Sequence, residues 1–182
     1  LEPTNEPYAI AKIAGMKMCQ AYNQQYGTNF ISAVVTNTYG LGDNFDPTDS
    51  HVIPALIRKF HEAKIHKEPI VVVWGSGNPR REFIYVDDVA DATIFLMNNY
   101  DSCEIINIGA GYDISIKELA RIIKEVVGYE GEITFDLSKA DGIPQKMLDT
   151  SKLKTLGWQA KISLKNGLIK TYDWYKKHFK QL

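Results

Sequence analysis

Between Glu6 and Tyr26 the small or apolar residues Ile10, Ile13, Ala14, Met18 and Ala21 recur at helical intervals among polar positions. The pattern predicts a helix from about Thr4 to Tyr26. Thr4 or Asn5 would cap it, Pro7 would sit in its first turn where a missing amide costs little, and Gly27 would stop it. The run Phe30 to Val35 is apolar and β-branched, which predicts a buried parallel strand. Thr36 to Phe45 then reads as the polar, glycine-bearing loop at that strand's carboxyl end. His51 to Lys64 is amphipathic and predicts a helix that tolerates Pro54 near its start.

Further strands are expected at Ile70 to Trp74, Glu82 to Val86, Ile105 to Ile108 and Glu132 to Phe135. Asp87 and Asp88 open a helix to about Asn98, their carboxylates favourable against its dipole. Ser115-Ile116-Lys117-Glu118 fits a capping box and opens a helix through Val127, with Gly128 as its stop. A short helix at Ser151 to Leu156 ends at Gly157, and a long one runs from Leu164 to Phe179. Its stripe of Leu168, Tyr172, Tyr175 and Phe179 reads as core packing. Helices alternating with strands predict an α/β fold.

Composition narrows the field only by exclusion. The 182 residues are 45% apolar and 24% charged with a net charge of −1, so nothing draws the chain to nucleic acid as a whole. No apolar run is long enough to span a bilayer, and Leu1 onward carries neither a basic n-region nor an h-region, so the expectation is a cytoplasmic protein off the membrane. Two cysteines, Cys19 and Cys103, make neither a disulfide framework nor a zinc cluster, and no His/Cys/Asp/Glu spacing suggests a metal.

Chemistry enters with Tyr8-Ala9-Ile10-Ala11-Lys12, which sets a phenol and an ammonium four positions apart on one helical face. A nearby cation favours a phenolate, so such a pair suits proton donation to a carbonyl oxygen, although the spacing alone is common. Three further segments follow in order: Val34-Val35-Thr36-Asn37-Thr38-Tyr39-Gly40, Ser50-His51-Val52-Ile53-Pro54, and Arg81-Glu82-Phe83-Ile84-Tyr85-Val86-Asp87-Asp88. Val72-Val73-Trp74-Gly75-Ser76-Gly77 and Asp141-Gly142-Ile143-Pro144-Gln145-Lys146 extend the series. Together they resemble the extended short-chain dehydrogenase/reductase family, also described as NAD-dependent epimerases/dehydratases, and within it the GDP-L-fucose synthases.

The resemblance implies a Rossmann-type doubly wound sheet with a smaller α/β substrate domain. On that frame, residues 1–40 are a C-terminal remnant of the dinucleotide-binding domain. Residues 41–182 are mainly a nucleotide-sugar domain, with segments returning to the first. No glycine-rich phosphate loop follows a strand; Gly75-Ser76-Gly77 and Gly109-Ala110-Gly111 read as turns, so the expectation is the C-terminal portion of a longer enzyme. The family's epimerase cysteine and catalytic serine or threonine precede the Tyr/Lys pair, and Cys19 does not replace that cysteine.

By resemblance, Tyr8 protonates the C4 oxygen as hydride arrives, and Lys12 holds the nicotinamide ribose and assists Tyr8. Val35, Thr36, Asn37 and Thr38 line the nicotinamide side with His51, which also moves protons at C3 or C5 of a 4-keto sugar. Without the resemblance, Asn37 reads as a turn residue and His51 as a solvated helix cap. Arg81 is matched to the nucleotide diphosphate, and Lys59, Trp74, Asp141 and Lys146 to further substrate contacts, although Trp74 reads equally as core. An arginine is usual at the Lys59 position in bacterial fucose synthases, so Lys59 leaves the sugar less defined. His61, His66 and His178 read as surface residues.

The implied activity is NADPH-dependent 3,5-epimerisation and 4-reduction of GDP-4-keto-6-deoxy-D-mannose. The alternatives are another nucleotide-sugar reductase or epimerase, on a GDP-heptose or dTDP-sugar, and a non-catalytic nucleotide-sugar binding module. A homodimer through the first helix is implied, or association with a separate N-terminal fragment.

Overall fold

The protein is described by a computed structural model covering Leu1 and residues 5–179; the expected cap Thr4 lies outside the described residues. In chain order the elements are α1 (Glu6–Tyr26), β1 (Ala33–Val35), β2 (Asn37–Tyr39), α2 (Val52–His66), β3 (Ile70–Trp74), β4 (Arg80–Arg81), β5 (Phe83–Tyr85) and α3 (Val86–Asn99). They continue with β6 (Ile106–Ile108), β7 (Ile114–Ser115), α4 (Ile116–Val127), β8 (Glu132–Asp136), β9 (Gln145–Lys146), α5 (Ser151–Thr155) and α6 (Leu164–His178). The fold is α/β.

Three two-stranded sheets are parallel: β1 with β6, β2 with β5, and β3 with β8. In the remaining sheet β4 is central, antiparallel to β7 and parallel to β9. Every pair joins segments far apart in sequence, so the strands carry distant stretches of the chain to one another.

Two apolar cores carry this frame. One packs α2, α4 and α6 against Val71, Val73, Tyr39 and Tyr85; the other gathers Ile84, Ala92, Leu96, Ile106, Ile108, Leu153 and Trp158. Leu168, Tyr172 and Tyr175 are buried as their stripe predicts, and Phe179, more exposed, stacks on Tyr175. The capping box at Ser115 and Glu118 forms in full, and Gly128 closes α4 in the left-handed conformation.

Several expectations need correction. The first strand is three residues long rather than six, and Ala33 and Val35 are exposed, each bordering an open cavity rather than a packed layer. Strand β2 lies inside the loop expected over Thr36 to Phe45, and β4, β7 and β9 lie where no strand was expected; at two or three residues each, they are too short to show a period in sequence. Asn5 occupies the cap of α1 without a side-chain hydrogen bond to it. No residue of α1 is buried, and Ile10, Ile13 and Met18 stand in the open.

Candidate functional site

Tyr8 lies in the first turns of α1 with 59% of its surface exposed. One turn on, Lys12 sets its Nζ 5.4 Å from the centre of the Tyr8 ring, the proximity that the four-residue spacing requires. Tyr8 borders a cavity of about 600 Å³ whose walls include Val35, Thr36, Asn37, Thr38, His51, Arg81, Phe83 and Lys146. The structure thus brings the expected proton donor, nicotinamide-side strand, histidine and two substrate cations to one space. Lys12 stands beside Tyr8 without lining the cavity.

The wall at Thr36 and Asn37 is tied down from across the sheet. Thr36 Oγ1 donates to the Glu82 carbonyl at 3.2 Å and Asn37 Nδ2 to the same oxygen at 2.7 Å. Asn37 is therefore a strand residue with one donor already used, rather than a turn residue; its carboxamide oxygen retains acceptor capacity.

His51 is delivered by a turn that its own side chains knit. Asn44 Nδ2 donates to the Asp49 carbonyl, and Asp46 Oδ1 accepts from the Thr48 amide and hydroxyl and from the Asp49 amide. His51 then caps α2 through its backbone alone and makes no side-chain capping bond, so the imidazole stays available. Sequence reasoning passed over Asp43, whose carboxyl is pushed up by burial while the Asn44 amide and nearby His51 oppose the rise.

Arg81 and Lys146 are register partners on β4 and β9. Arg81 Nη1 donates to the Arg80 and Ile143 carbonyls at 2.8 and 2.6 Å, which aims the guanidinium without neutralising it. Its neighbour Arg80 is instead paired with Asp113.

Arg81 also borders a second pocket of about 220 Å³ with Trp74, Asp141, Gly142 and Ile116. Trp74 is 66% exposed, which removes the core reading. Lys59 and Lys139 hold their Nζ atoms 5.0 and 5.5 Å from its ring centre. Lys59 lies against the indole rather than in either pocket, and burial pushes its ammonium down from the usual lysine range. Asp141 accepts from the Ser76 amide at 2.8 Å and hydroxyl at 2.6 Å, bonds that pull its carboxyl below the ordinary range. It thereby pins the turn whose Gly75 and Gly77 need left-handed φ angles of 79° and 76°.

His61 departs from its surface reading. It is half-buried between α2 and α6, with Nδ1 3.0 Å from the Tyr172 hydroxyl. Burial pushes its imidazole down, with Glu62 opposing. His66 and His178 are exposed.

Comparison with known proteins matches residues 1–109 to the model of the "NAD dependent epimerase/dehydratase family". The chain belongs to that family. It is 58% identical over 175 residues to a probable GDP-L-fucose synthase 1 of Oryza sativa subsp. japonica, covering 96% of this chain and 53% of that protein. It is 54% identical over 184 residues to the GDP-L-fucose synthase of Escherichia coli K12, covering 96% and 57%. Among solved structures it resembles a GDP-6-OMe-4-keto-L-xylo-heptose reductase from C. jejuni, with TM-score 0.89 and 41% identity over 97% of this chain and 62% of that one. A GDP-L-fucose synthetase from Naegleria fowleri bound to NADP gives TM-score 0.88 and 31% identity, covering 95% and 56%. The chain spans about half the length of the curated relatives it matches.

Proposed function

We propose that this chain supplies the proton-donating and nucleotide-sugar-binding part of an NADPH-dependent enzyme that epimerises GDP-4-keto-6-deoxy-D-mannose at C3 and C5 and reduces C4, giving GDP-L-fucose. The observation that carries the reading is the single cavity shared by Tyr8, His51, Arg81 and Lys146. The identities of 54% and 58% to GDP-L-fucose synthases support the choice of sugar.

In this reading residues 1–40 belong to the dinucleotide-binding domain, residues 41–182 mainly to the sugar domain, and β6 and α3 return to the first. Lys12, Val35, Thr36, Asn37, Thr38 and His51 would hold the nicotinamide end. Their donor and acceptor groups, beside the cavity, fit an amide and a ribose. The 182 residues contain no glycine-rich loop to receive its pyrophosphate. When bound, the cofactor supplies hydride to C4.

Tyr8 passes its hydroxyl proton to the C4 oxygen, and the Lys12 ammonium offsets the charge left on the phenol oxygen. His51 takes or returns the proton at a carbon made acidic by the adjacent ketone. Arg81, bordering both pockets, grips the diphosphate between the sugar and the nucleoside, and exposed Trp74 covers the base or ribose.

A GDP-heptose substrate is the second reading, favoured by the likeness to the heptose reductase and by Lys59 in place of a forked arginine. Turnover assays with GDP-4-keto-6-deoxy-mannose and GDP-4-keto-heptose, in a form of the protein competent for reduction, separate the two. GDP titration of the 182-residue chain, with NADPH as control, tests the binding-module alternative. The exposed Ile10, Ile13 and Met18 of α1 form the proposed homodimer face. Sedimentation of the purified chain as a monomer at micromolar concentration, with no second peptide present, contradicts that association.

A further inference from the structure

Glu82 is fully buried, and its hydrogen-bonding groups reach three separate segments of the chain. Oε1 accepts from the Gly111 amide at 2.7 Å and Oε2 from the Leu148 amide at 3.0 Å. Its own amide donates to the Lys146 carbonyl at 3.2 Å, and its carbonyl receives Thr36 and Asn37. Both carboxylate oxygens are thus held by backbone amides of two separate loops, one after β6 and one after β9. Gly109 leaves the space: a Cβ there would run into the Glu82 carboxylate, and Gly111 takes a left-handed φ of 82° to aim its amide.

Burying a carboxylate is costly unless its hydrogen bonds are made, so this one persists because the two amides need an acceptor as much as it needs donors. We propose that Glu82 is a positioning residue for the substrate cations: its side chain holds the Leu148 amide, and through that short loop sets where Lys146 stands beside Arg81. A neutral carboxamide of the same shape offers one oxygen and one NH₂ group, so one of the two amides would face a donor, and the repulsion there would draw the side chain away from the other amide as well. The backbone bonds to Thr36 and Asn37 survive that change, so the nicotinamide side would keep its geometry. The inference rests on the proposed function for its ligand, but not for its structural part.

The structural part is tested by amide hydrogen exchange on the 182-residue chain. Glu82→Gln is expected to speed exchange at Gly111 and Leu148 at least tenfold while amides of the β3–β8 pair keep their protection. Unchanged exchange at both sites, or a uniform rise across the chain, overturns the assignment. Should Glu82→Gln not fold, Glu82→Asp keeps the charge but is one methylene too short to reach both amides, and the same selective rise is expected.

The ligand part is tested by GDP titration. Glu82→Gln is expected to weaken GDP about tenfold, and to add nothing further in a Lys146→Met background, since the effect passes through Lys146. Losses that multiply in the double variant overturn it. Failure of the unaltered chain to bind GDP overturns the proposed function instead, and the exchange result alone then decides the role of Glu82.

Discussion

Arg81 and Lys146 stand opposite each other on neighbouring parallel strands, two cations set side by side at the rim of one cavity. Like charges in that relation repel, and the chain tolerates them because an anion between them would convert the repulsion into binding. Removing either, as Arg81→Met or Lys146→Met, is expected to weaken GDP roughly ten- to a hundredfold, the scale of one charge-assisted hydrogen bond of about 1.5–3 kcal/mol. The melting temperature should hold or rise slightly. Molar salt should shrink the difference between variant and original, because the Debye length falls to about 3 Å. Titration at low and molar salt checks both; unchanged GDP affinity in both variants would remove the pair from the site.

Tyr8 is largely exposed, so Tyr8→Phe should leave the melting curve unchanged. It should slow reduction at C4 by roughly a hundred- to ten-thousandfold, the range for loss of a general acid. Single-turnover reduction in a form of the protein competent for it is the measurement, and an unaltered rate takes Tyr8 out of the mechanism.

His51 contributes no side-chain bond to the cap of α2, so His51→Gln should leave that helix intact. Its expected effect is selective: exchange of solvent deuterium into C3 or C5 of the sugar falls much further than reduction of a ketone that is already epimerised. Equal losses in the two assays would point to a general role in holding the loop that ends at Asp49.

His61 gives the fold a pH dependence of its own. Burial holds its folded-state pKa below the unfolded value of about 6.5, so the unfolded chain takes up its proton first as pH falls. The stabilisation is complete above about pH 6.5 and is lost on acidification from there down to the lowered folded value. Melting temperatures of the original chain and His61→Gln, compared at neutral and mildly acidic pH, should show a shallower acid slope in the variant. Parallel slopes would refute the assignment.

The sequence by itself determined the elements whose signal is local. The α4 capping box, the stop at Gly128, the β3 run and the aromatic stripe of α6 were all readable because each depends on residues within a few positions of one another. Tyr8 and Lys12 were readable for the same reason, since helix geometry alone makes them neighbours. Only the tertiary structure decided the rest. Strands β2, β4, β7 and β9 exist because distant segments supply their hydrogen-bonding partners, and no period within two or three residues announces them. The exposure of Trp74, the burial of Glu82 and the half-burial of His61 depend on which elements cover them. Arg81 and Lys146, 65 positions apart, meet only because β4 and β9 pair in one particular register, and a slip of one residue would put the two side chains on opposite faces.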